Sequence, residues 1–317
     1  MHITIQGSTH ITQKKLYPAL LLLSAVFLLE THVFSQNTGD WQAAQYPVRS
    51  VRITSHFGES RGSHFHSGID FAGAQPIYPI SEGEIIFVRD QTEDPTRPVL
   101  GVGDYAILEH PSGYRSYYDH MASGTMPHST GRAQIHESIG IMGNTGHSSG
   151  PHLHLTLEEL STGRIINPLL HLPYIRDIQK PKIHRFLFVI DGKPAYAIKN
   201  NSVFRYRGSF TLFSIAWDLR YHLDSRTAIN PSTAFGIRRI SITIDGNIFN
   251  TYTFDFLIPT EKGLSLPSLQ THPEIYGMPF NYRLGQFVPS GNSHRFEISA
   301  EDWAGNTTIE KFQVSFK

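Results

Sequence analysis

Residues 146–157 read Gly-His-Ser-Ser-Gly-Pro-His-Leu-His-Leu-Thr-Leu, and this stretch decides the fold class of the segment around it. Polar and apolar residues alternate from His152 to Leu157, which predicts a half-buried β-strand that follows a glycine-rich loop. Side chains two residues apart lie on the same face of a strand. We therefore expect the rings of His152 and His154 to converge on one side of a sheet.

Two further stretches carry histidines beside carboxylates. Residues 64–71 read His-Phe-His-Ser-Gly-Ile-Asp-Phe, and residues 117–120 read Tyr-Tyr-Asp-His. A glycine between His66 and Asp70 disfavours a regular helix, so we expect a loop that enters a strand. A hydrolytic zinc site needs three nitrogen or oxygen ligands and an open position for water. Together, His66, Asp70 and His154 supply such a ligand set.

The surrounding sequence predicts an all-β protein. Between residues 46 and 170, short apolar runs alternate with glycine-containing turns, and no helical period is sustained. This pattern indicates an antiparallel β-sheet domain. Its clearest runs are residues 85–88, 105–108 and 139–141.

A second β domain is expected after a linker. Residues 171–182 contain two prolines among mixed polar residues, which favours a connecting segment. In residues 183–317, Asp191-Gly192 and Asp245-Gly246 each follow an apolar run, and Asp-Gly is a strong hairpin signal. Several short strands in such a segment predict a β-sandwich.

The first 35 residues have the pattern of a secretory signal peptide. Lys14 and Lys15 precede the apolar stretch 16–29, and Val33 and Ser35 provide small residues before a cleavage site. An uncleaved membrane anchor is the alternative, although the apolar stretch is short for a membrane span. We expect export to the periplasm, the cell surface or the medium, with no membrane span once the signal is removed.

The composition limits the chemistry. The chain has 317 residues, with 27 Lys and Arg against 27 Asp and Glu, and it has no cysteine. The balanced charge argues against nucleic acid as a partner, because such binding neutralises phosphates with basic residues. The absence of cysteine excludes a disulfide scaffold, a thiol nucleophile and a Cys-based zinc finger. Any metal must therefore be held by His, Asp or Glu.

Three elements together resemble the lysostaphin/LytM-type zinc endopeptidases, which cut peptidoglycan. They are His66-Ser-Gly-Ile-Asp70, Tyr118-Asp-His120 and Gly146-His-Ser-Ser-Gly-Pro-His152-Leu-His154, in the order and spacing of that family's motifs. The resemblance covers roughly residues 50–168. It implies one Zn²⁺ per chain, held by His66, Asp70 and His154, with His120 and His152 as the catalytic pair. It also implies an endopeptidase that acts on peptidoglycan peptides.

Several alternatives remain open at this level. His64 also forms a His-x-His pair with His66, but only His66 stands four residues before Asp70. Tyr118 is either a group that contacts the substrate or an active-site His, or a residue of the wall. A non-catalytic peptidoglycan-binding protein that regulates other hydrolases is the rival function, and a secreted zinc peptidase of Gly-rich proteins is a third.

The C-terminal segment carries a weaker resemblance. Residues 301–306 read Glu-Asp-Trp-Ala-Gly-Asn, which is similar to the last turn of Ig-like modules in secreted bacterial proteins. The resemblance implies an Ig-like β-sandwich for residues 183–317. Such a module could dock on the wall polymer or on other cell-wall proteins.

Overall fold

The computed structural model describes residues 43–92, 101–219 and 234–317, and about half of these residues lie in β-strands. The predicted all-β class with antiparallel sheets is confirmed. The predicted signal segment, residues 1–35, lies outside the described residues. Within the described ranges, no helix has the length and the apolar character needed to cross a membrane.

The first part of the chain contains ten of the strands in the described residues and ends in a short 3-10 helix. The elements are β1 (Ile53–Ser55), β2 (Ile69–Ala72), β3 (Pro76–Ile77), β4 (Gly83–Arg89), β5 (Asp104–His110), β6 (Tyr114–Met121), β7 (Gly131–Ala133), β8 (Gly140–Ile141), β9 (His152–Glu159), β10 (Arg164–Ile166) and the 3-10 helix Pro168–Leu170.

Strand β9 lies inside the main antiparallel sheet, which runs β10-β9-β6-β5-β4-β7 in this part of the chain. Along β9, Leu153, Leu155 and Leu157 are fully buried in one core, because alternate side chains face the same way. The intervening polar residues therefore face the opposite side. The strand that the alternation predicts over residues 152–157 is confirmed.

The C-terminal part is also built of strands. The elements are β11 (Lys182–Val189), β12 (Tyr196–Ala197), β13 (Ser202–Phe204), β14 (Phe210–Leu219), β15 (Ala234–Phe235), β16 (Arg239–Ile244), β17 (Asn247–Thr253), β18 (Phe256–Thr260), β19 (Gly263–Ser265), helix α1 (His272–Ile275), β20 (Tyr276–Met278), β21 (Asn281–Phe287), β22 (Ser293–Glu301) and β23 (Thr307–Phe316).

Two sheets of this part pack face to face. One sheet has the order β12-β11-β14-β21-β20, with β15 paired to β14, and the other has the order β13-β23-β22-β16-β17. Phe186 and Phe188 of the first sheet contact Phe296 of the second, with ring centroids 5.5 Å and 5.3 Å apart. The predicted hairpin at Asp245-Gly246 joins β16 to β17, and both residues adopt the positive φ that a tight hairpin turn requires.

The two parts share a sheet and a core. Strand β18 pairs with β10, so β18 and β19 extend the sheet that contains β9. Phe57 and Phe65 of the first part are buried in the core of the C-terminal part. The described residues accordingly form one compact unit. The division into 46–170, 171–182 and 183–317, and the Ig-like nature of the last segment, stay predictions.

Candidate active site

The site is assembled on three neighbouring strands. Strand β9 pairs with β2 on one side and with β6 on the other. In this register His154 is opposite Asp70 of β2 and opposite Asp119 of β6. The sheet thus brings together residues that are 35 to 84 positions apart in the sequence.

Three side chains meet at a single point. The Nε2 atom of His66 lies 3.0 Å from Oδ1 of Asp70 and 2.9 Å from Nδ1 of His154, and that Nδ1 lies 2.9 Å from the same Oδ1. All three residues are mostly buried. Two imidazole nitrogens and one carboxylate oxygen form the donor set that zinc accepts. These three residues are the ones that the sequence predicts as metal ligands.

Outer hydrogen bonds fix the tautomers of the two imidazoles. The Nδ1–H of His66 donates to the carbonyl of His56 at 2.7 Å, which leaves the Nε2 lone pair facing the cluster. On His154 the orientation is reversed, because Nε2 lies 3.0 Å from Oγ1 of Thr156 and Nδ1 faces the cluster. A histidine that ligates a metal commonly donates its other ring N–H in this way. The donor set therefore fits a metal ion, because both rings already direct a lone pair to the same point.

Asp70 is held as a carboxylate. Burial alone would raise its pKa, but the charges and hydrogen bonds of His66 and His154 outweigh burial and hold the pKa well below its usual range. Its Oδ2 accepts a hydrogen bond from Nη2 of Arg61 at 2.6 Å, and the same Nη2 donates to Oγ of Ser55 at 2.8 Å. Arg61 thus fixes the outer oxygen while Oδ1 faces the two histidines.

The other two histidines of the predicted site lie beside this cluster. The rings of His120 and His152 have centroids 4.6 Å apart, and Nε2 of His152 is 3.9 Å from Oδ1 of Asp70. The Nδ1–H of His120 donates to the carbonyl of Thr145 at 2.8 Å, and the Nδ1–H of His152 donates to the carbonyl of Gly150 at 2.8 Å. In each ring Nε2 is thereby left as the nitrogen available to a substrate.

His120 has an unusual backbone. Its φ of 63° lies in the left-handed region, which non-glycine residues rarely adopt. The chain holds it there because its N–H donates to the carbonyl of Val102 while its ring is tied to Thr145. Burial lowers the pKa of His120 to about 4, so its imidazole is neutral at neutral pH.

A cavity of about 680 Å³ opens in front of these side chains. All five predicted site residues line it. The exposed His64 and the loop residue His147 lie on its walls as well, but neither belongs to the group of side chains that could hold a metal. His64 is therefore a flanking group, as its spacing from Asp70 predicts.

Asp119 is a buried carboxylate behind the site. It is opposite His154 in the sheet, and burial raises its pKa to about 6. Its position in the Tyr-Tyr-Asp-His run made it visible in the sequence, but nothing there assigned it a role. In the structure it contributes negative potential next to His154.

Two glycines let loops approach the site closely. A Cβ on Gly68 would lie 2.2 Å from the carbonyl oxygen of Leu155 and 2.8 Å from Nε2 of His154. Gly146 has a φ of 74°, and a Cβ there would lie 2.4 Å from the backbone of Gly103. At Gly150, in contrast, a Cβ would meet no atom within 4 Å among the described residues.

Tyr118 belongs to the core and not to the cavity wall. Its side chain is fully buried, and its hydroxyl accepts a hydrogen bond from the N–H of Ile80 at 2.9 Å. Neither of the two interpretations that the sequence leaves open fits this geometry, because Tyr118 contacts neither the cavity nor an active-site histidine through its hydroxyl. The strand alternation of β6 carries Tyr118 to the face opposite that of Asp119.

Sequence reasoning missed two polar supports of the site. Arg61 lies nine residues before Asp70 in an irregular segment, so no spacing rule connects the two residues. Thr156 stands at i+2 from His154 on the same strand, and this spacing could have identified it.

The comparisons with known proteins address this same segment. Residues 64–168 match the family model described as Peptidase family M23. This segment, about a third of the chain, is therefore similar to the peptidases of family M23. A second family model, which has no descriptive name, matches residues 180–317. The predicted resemblance to the lysostaphin/LytM-type peptidases is thereby confirmed for the domain.

Curated relatives match this segment and its surroundings. Peptidoglycan DD-endopeptidase ShyA of Vibrio cholerae is 26% identical over 195 residues, which are 58% of this chain and 43% of the relative. DD-carboxypeptidase/endopeptidase Mpg of Neisseria meningitidis is 30% identical over 130 residues, which are 39% of this chain and 27% of the relative. The chain thus spans less than half the length of these relatives.

Among solved structures, a crystal structure of a zinc-containing peptidase from Vibrio cholerae is 28% identical. The superimposed region covers 40% of this chain and 39% of the Vibrio cholerae chain, with a TM-score of 0.34.

Proposed function

We propose that this chain is an exported zinc-dependent endopeptidase that hydrolyses peptide bonds in the stems or cross-bridges of peptidoglycan. The observation that carries this proposal is the convergence of His66, Asp70, His154, His120 and His152 on one cavity within the segment that matches family M23. A protein that only binds the wall polymer has no need of this arrangement, so the geometry favours catalysis over the regulatory alternative.

In this proposal His66, Asp70 and His154 hold one zinc ion. Each of the two imidazoles directs a ring-nitrogen lone pair toward Oδ1 of Asp70. Their other ring nitrogens form hydrogen bonds with the carbonyl of His56 and with Oγ1 of Thr156. When bound, the zinc ion supplies a Lewis acid and lowers the pKa of water, which provides a nucleophile at neutral pH. Arg61 holds the carboxylate of Asp70 through Oδ2, so that Oδ1 would be the oxygen that binds the ion.

His120 and His152 handle the protons of the reaction. Each ring is anchored through Nδ1–H to a backbone carbonyl, so each Nε2 can accept a proton without a change of orientation. One imidazole accepts the proton of the attacking water on Nε2, and the other, when it carries a proton on Nε2, stabilises the oxyanion or passes that proton to the leaving amine. A ring that is neutral before the reaction is the form that can act as base, and His120 is in that form.

The substrate assignment rests on the relatives. ShyA and Mpg carry names that describe endopeptidases, and the name of ShyA specifies peptidoglycan. A peptidoglycan peptide lies outside the cytoplasm, which agrees with the signal pattern of residues 1–35. We assign the protein to the periplasm or the cell surface. The β-sandwich of residues 183–317 would then face the wall polymer or other cell-wall proteins.

The deciding experiment is a muropeptide profile. Purified peptidoglycan is incubated with the zinc-loaded chain that begins after residue 35, with its His154→Ala variant, and with His136→Ala as a control. His136 is exposed and lies outside the cavity. We expect cross-linked muropeptides to disappear with the parent chain and with His136→Ala, but to persist with His154→Ala.

An unchanged profile with all three proteins, with zinc content verified and several cross-link types tried, would reject the proposal. In that case, stimulation of a second hydrolase by the same protein would support the regulatory alternative. Cleavage of Gly-rich proteins but not of peptidoglycan would retain the zinc chemistry and change the substrate.

A further inference from the structure

Three buried aspartates meet far from the peptidase cavity. Asp177 lies in the connecting segment, Asp218 lies near the end of β14, and Asp302 lies in the turn between β22 and β23. They are 7%, 0% and 0% exposed. One carboxylate oxygen of each residue lies within 4.8 Å of the corresponding oxygens of the other two.

Backbone N–H groups and one side-chain amide hold two of these carboxylates in place. Oδ1 of Asp302 accepts hydrogen bonds from the N–H groups of Ala304 and Asn306 at 2.9 Å and 2.8 Å, and its Oδ2 accepts one from Nδ2 of Asn306 at 2.9 Å. Oδ1 of Asp177 accepts a hydrogen bond from the N–H of Gln179 at 2.9 Å. The cluster is therefore ordered and not a loose group of surface acids.

One oxygen of the cluster lacks a partner within the described residues. Oδ2 of Asp177 is inaccessible to solvent and accepts no hydrogen bond from them. A buried polar atom without a partner is destabilising, and more so when the group is charged. Native structures seldom retain such an atom unless an ion or a water molecule satisfies it.

The charge of the cluster points the same way. A bound cation would relieve the mutual repulsion of three clustered carboxylates. The cluster offers only carboxylate oxygens as ligand atoms. Hard divalent cations prefer oxygen ligands to nitrogen or sulfur ligands. Calcium fits better than magnesium because it accepts irregular geometry and keeps fewer waters, which suits a buried site.

We propose that Asp177, Asp218 and Asp302 bind a calcium ion that fastens the connecting segment to the β-sandwich. The ligands come from the connector, one sandwich sheet and the turn that enters β23, so the ion joins three parts of the chain. This site uses none of the residues of the peptidase cavity. It therefore stands or falls independently of the proposed endopeptidase activity.

Terbium and calcium provide the direct test. Trp217 directly precedes Asp218, and Trp303 directly follows Asp302. Excitation of these tryptophans should therefore sensitise the emission of Tb³⁺ bound at the cluster. We expect saturable Tb³⁺ emission that Ca²⁺ displaces, with half-saturation at about 1 mM Ca²⁺ or below, the range of extracellular calcium modules. The signal should persist in His154→Ala, which locates it away from the peptidase cluster.

Asp177→Asn is the informative variant. Its Oδ1 can still accept the hydrogen bond from Gln179, while an amide replaces the oxygen that has no partner, so the variant should fold without calcium. We expect Ca²⁺ to raise the Tm of the parent chain and of the control Asp191→Asn, in which an exposed aspartate is neutralised. Asp177→Asn should bind Ca²⁺ at least tenfold more weakly and show no such rise. Equal calcium affinity in Asp177→Asn, or no calcium-dependent change in the parent chain, would overturn the proposal.

Discussion

The rings of His120 and His152 lie side by side, with centroids 4.6 Å apart, and each donates its Nδ1–H to a backbone carbonyl. The carbonyls belong to Thr145 and Gly150, which lie in the loop that leads into β9. One loop therefore orients both imidazoles. The protonation chemistry of the cavity depends on the conformation of that loop as much as on the histidines.

Replacement of His120 separates catalysis from folding. Asn tolerates the left-handed backbone at this position, so His120→Asn should remain folded. Loss of a general acid or base costs about 10²–10⁴ in rate, and we expect kcat on a muropeptide dimer to fall by at least about 10². Zinc content, measured by mass spectrometry, should not change. A variant that keeps parental kcat would remove His120 from the mechanism.

The stability of the metal-free chain should depend on pH through His120. Burial lowers its pKa in the folded state from 6.5 to about 4. Between these two values the unfolded chain binds a proton that the folded chain does not, so the stabilisation is complete above pH 6.5 and is lost as the pH falls toward 4. On acidification over this range, the parent chain should lose on the order of 2 kcal/mol more than His120→Asn. Urea denaturation in the presence of a chelator measures this difference, and parallel curves would contradict the prediction.

Thr156 should tune the affinity for metal. The variant Thr156→Val keeps the shape of the side chain but removes the oxygen next to Nε2 of His154. Loss of such an outer partner typically costs about 10–100-fold in metal affinity. Competition with a chromogenic chelator measures the change, and Thr251→Val, an exposed replacement on β17, is the control. Equal affinity in both variants would show that the contact does not support the ligand.

Gly68 should not tolerate a side chain. In Gly68→Ala the Cβ would lie 2.2 Å from the carbonyl oxygen of Leu155, so β9 or the loop must shift. We expect a loss of about 1–3 kcal/mol in the free energy of unfolding, typical of overpacking, together with weaker metal binding. Gly150→Ala is the matched control, because the added methyl group meets open space. Similar stability of the two variants would refute the steric argument.

The first part of the chain should depend on the C-terminal part for its stability. A chain that ends at residue 182 would expose Phe57 and Phe65, which are buried in the C-terminal core, and would lose the pairing of β10 with β18. It would also lose the hydrogen bond that the hydroxyl of Tyr276 donates to the carbonyl of Gly58 at 2.9 Å. We expect the shortened protein to aggregate or to melt at a lower Tm than the full chain. A shortened chain with the parental Tm would establish an independent domain.

Local patterns in the sequence predicted the strands and the arrangement of the site. The alternation around His152 and His154 predicted β9 and its polar face, and Asp245-Gly246 predicted the β16–β17 hairpin. These signals are short-range, because they depend on side-chain periodicity and turn geometry. The spacing of His66 and Asp70 likewise predicted two residues that the structure brings together.

Long-range relationships left no comparable signal. The pairing of β10 with β18 joins residues about 90 positions apart, and both strands read as ordinary apolar runs. Phe57 and Phe65 suggest a core in the sequence but not which core. Asp177, Asp218 and Asp302 are separated by 41 and 84 residues, so only the folded chain shows them as neighbours. Arg61 likewise has no periodic relation to Asp70.

The continuous sheet from β9 through β10 to β18 joins the cavity-bearing part to the C-terminal part without a flexible linker between these strands. A module on a flexible tether can take many orientations relative to its neighbour. A module that shares a hydrogen-bonded sheet with its neighbour keeps one orientation relative to it. Whatever surface the C-terminal sandwich rests on, the cavity meets that surface at a fixed height and angle. The distance between the C-terminal strands and the cavity is then set by the dimensions of the fold.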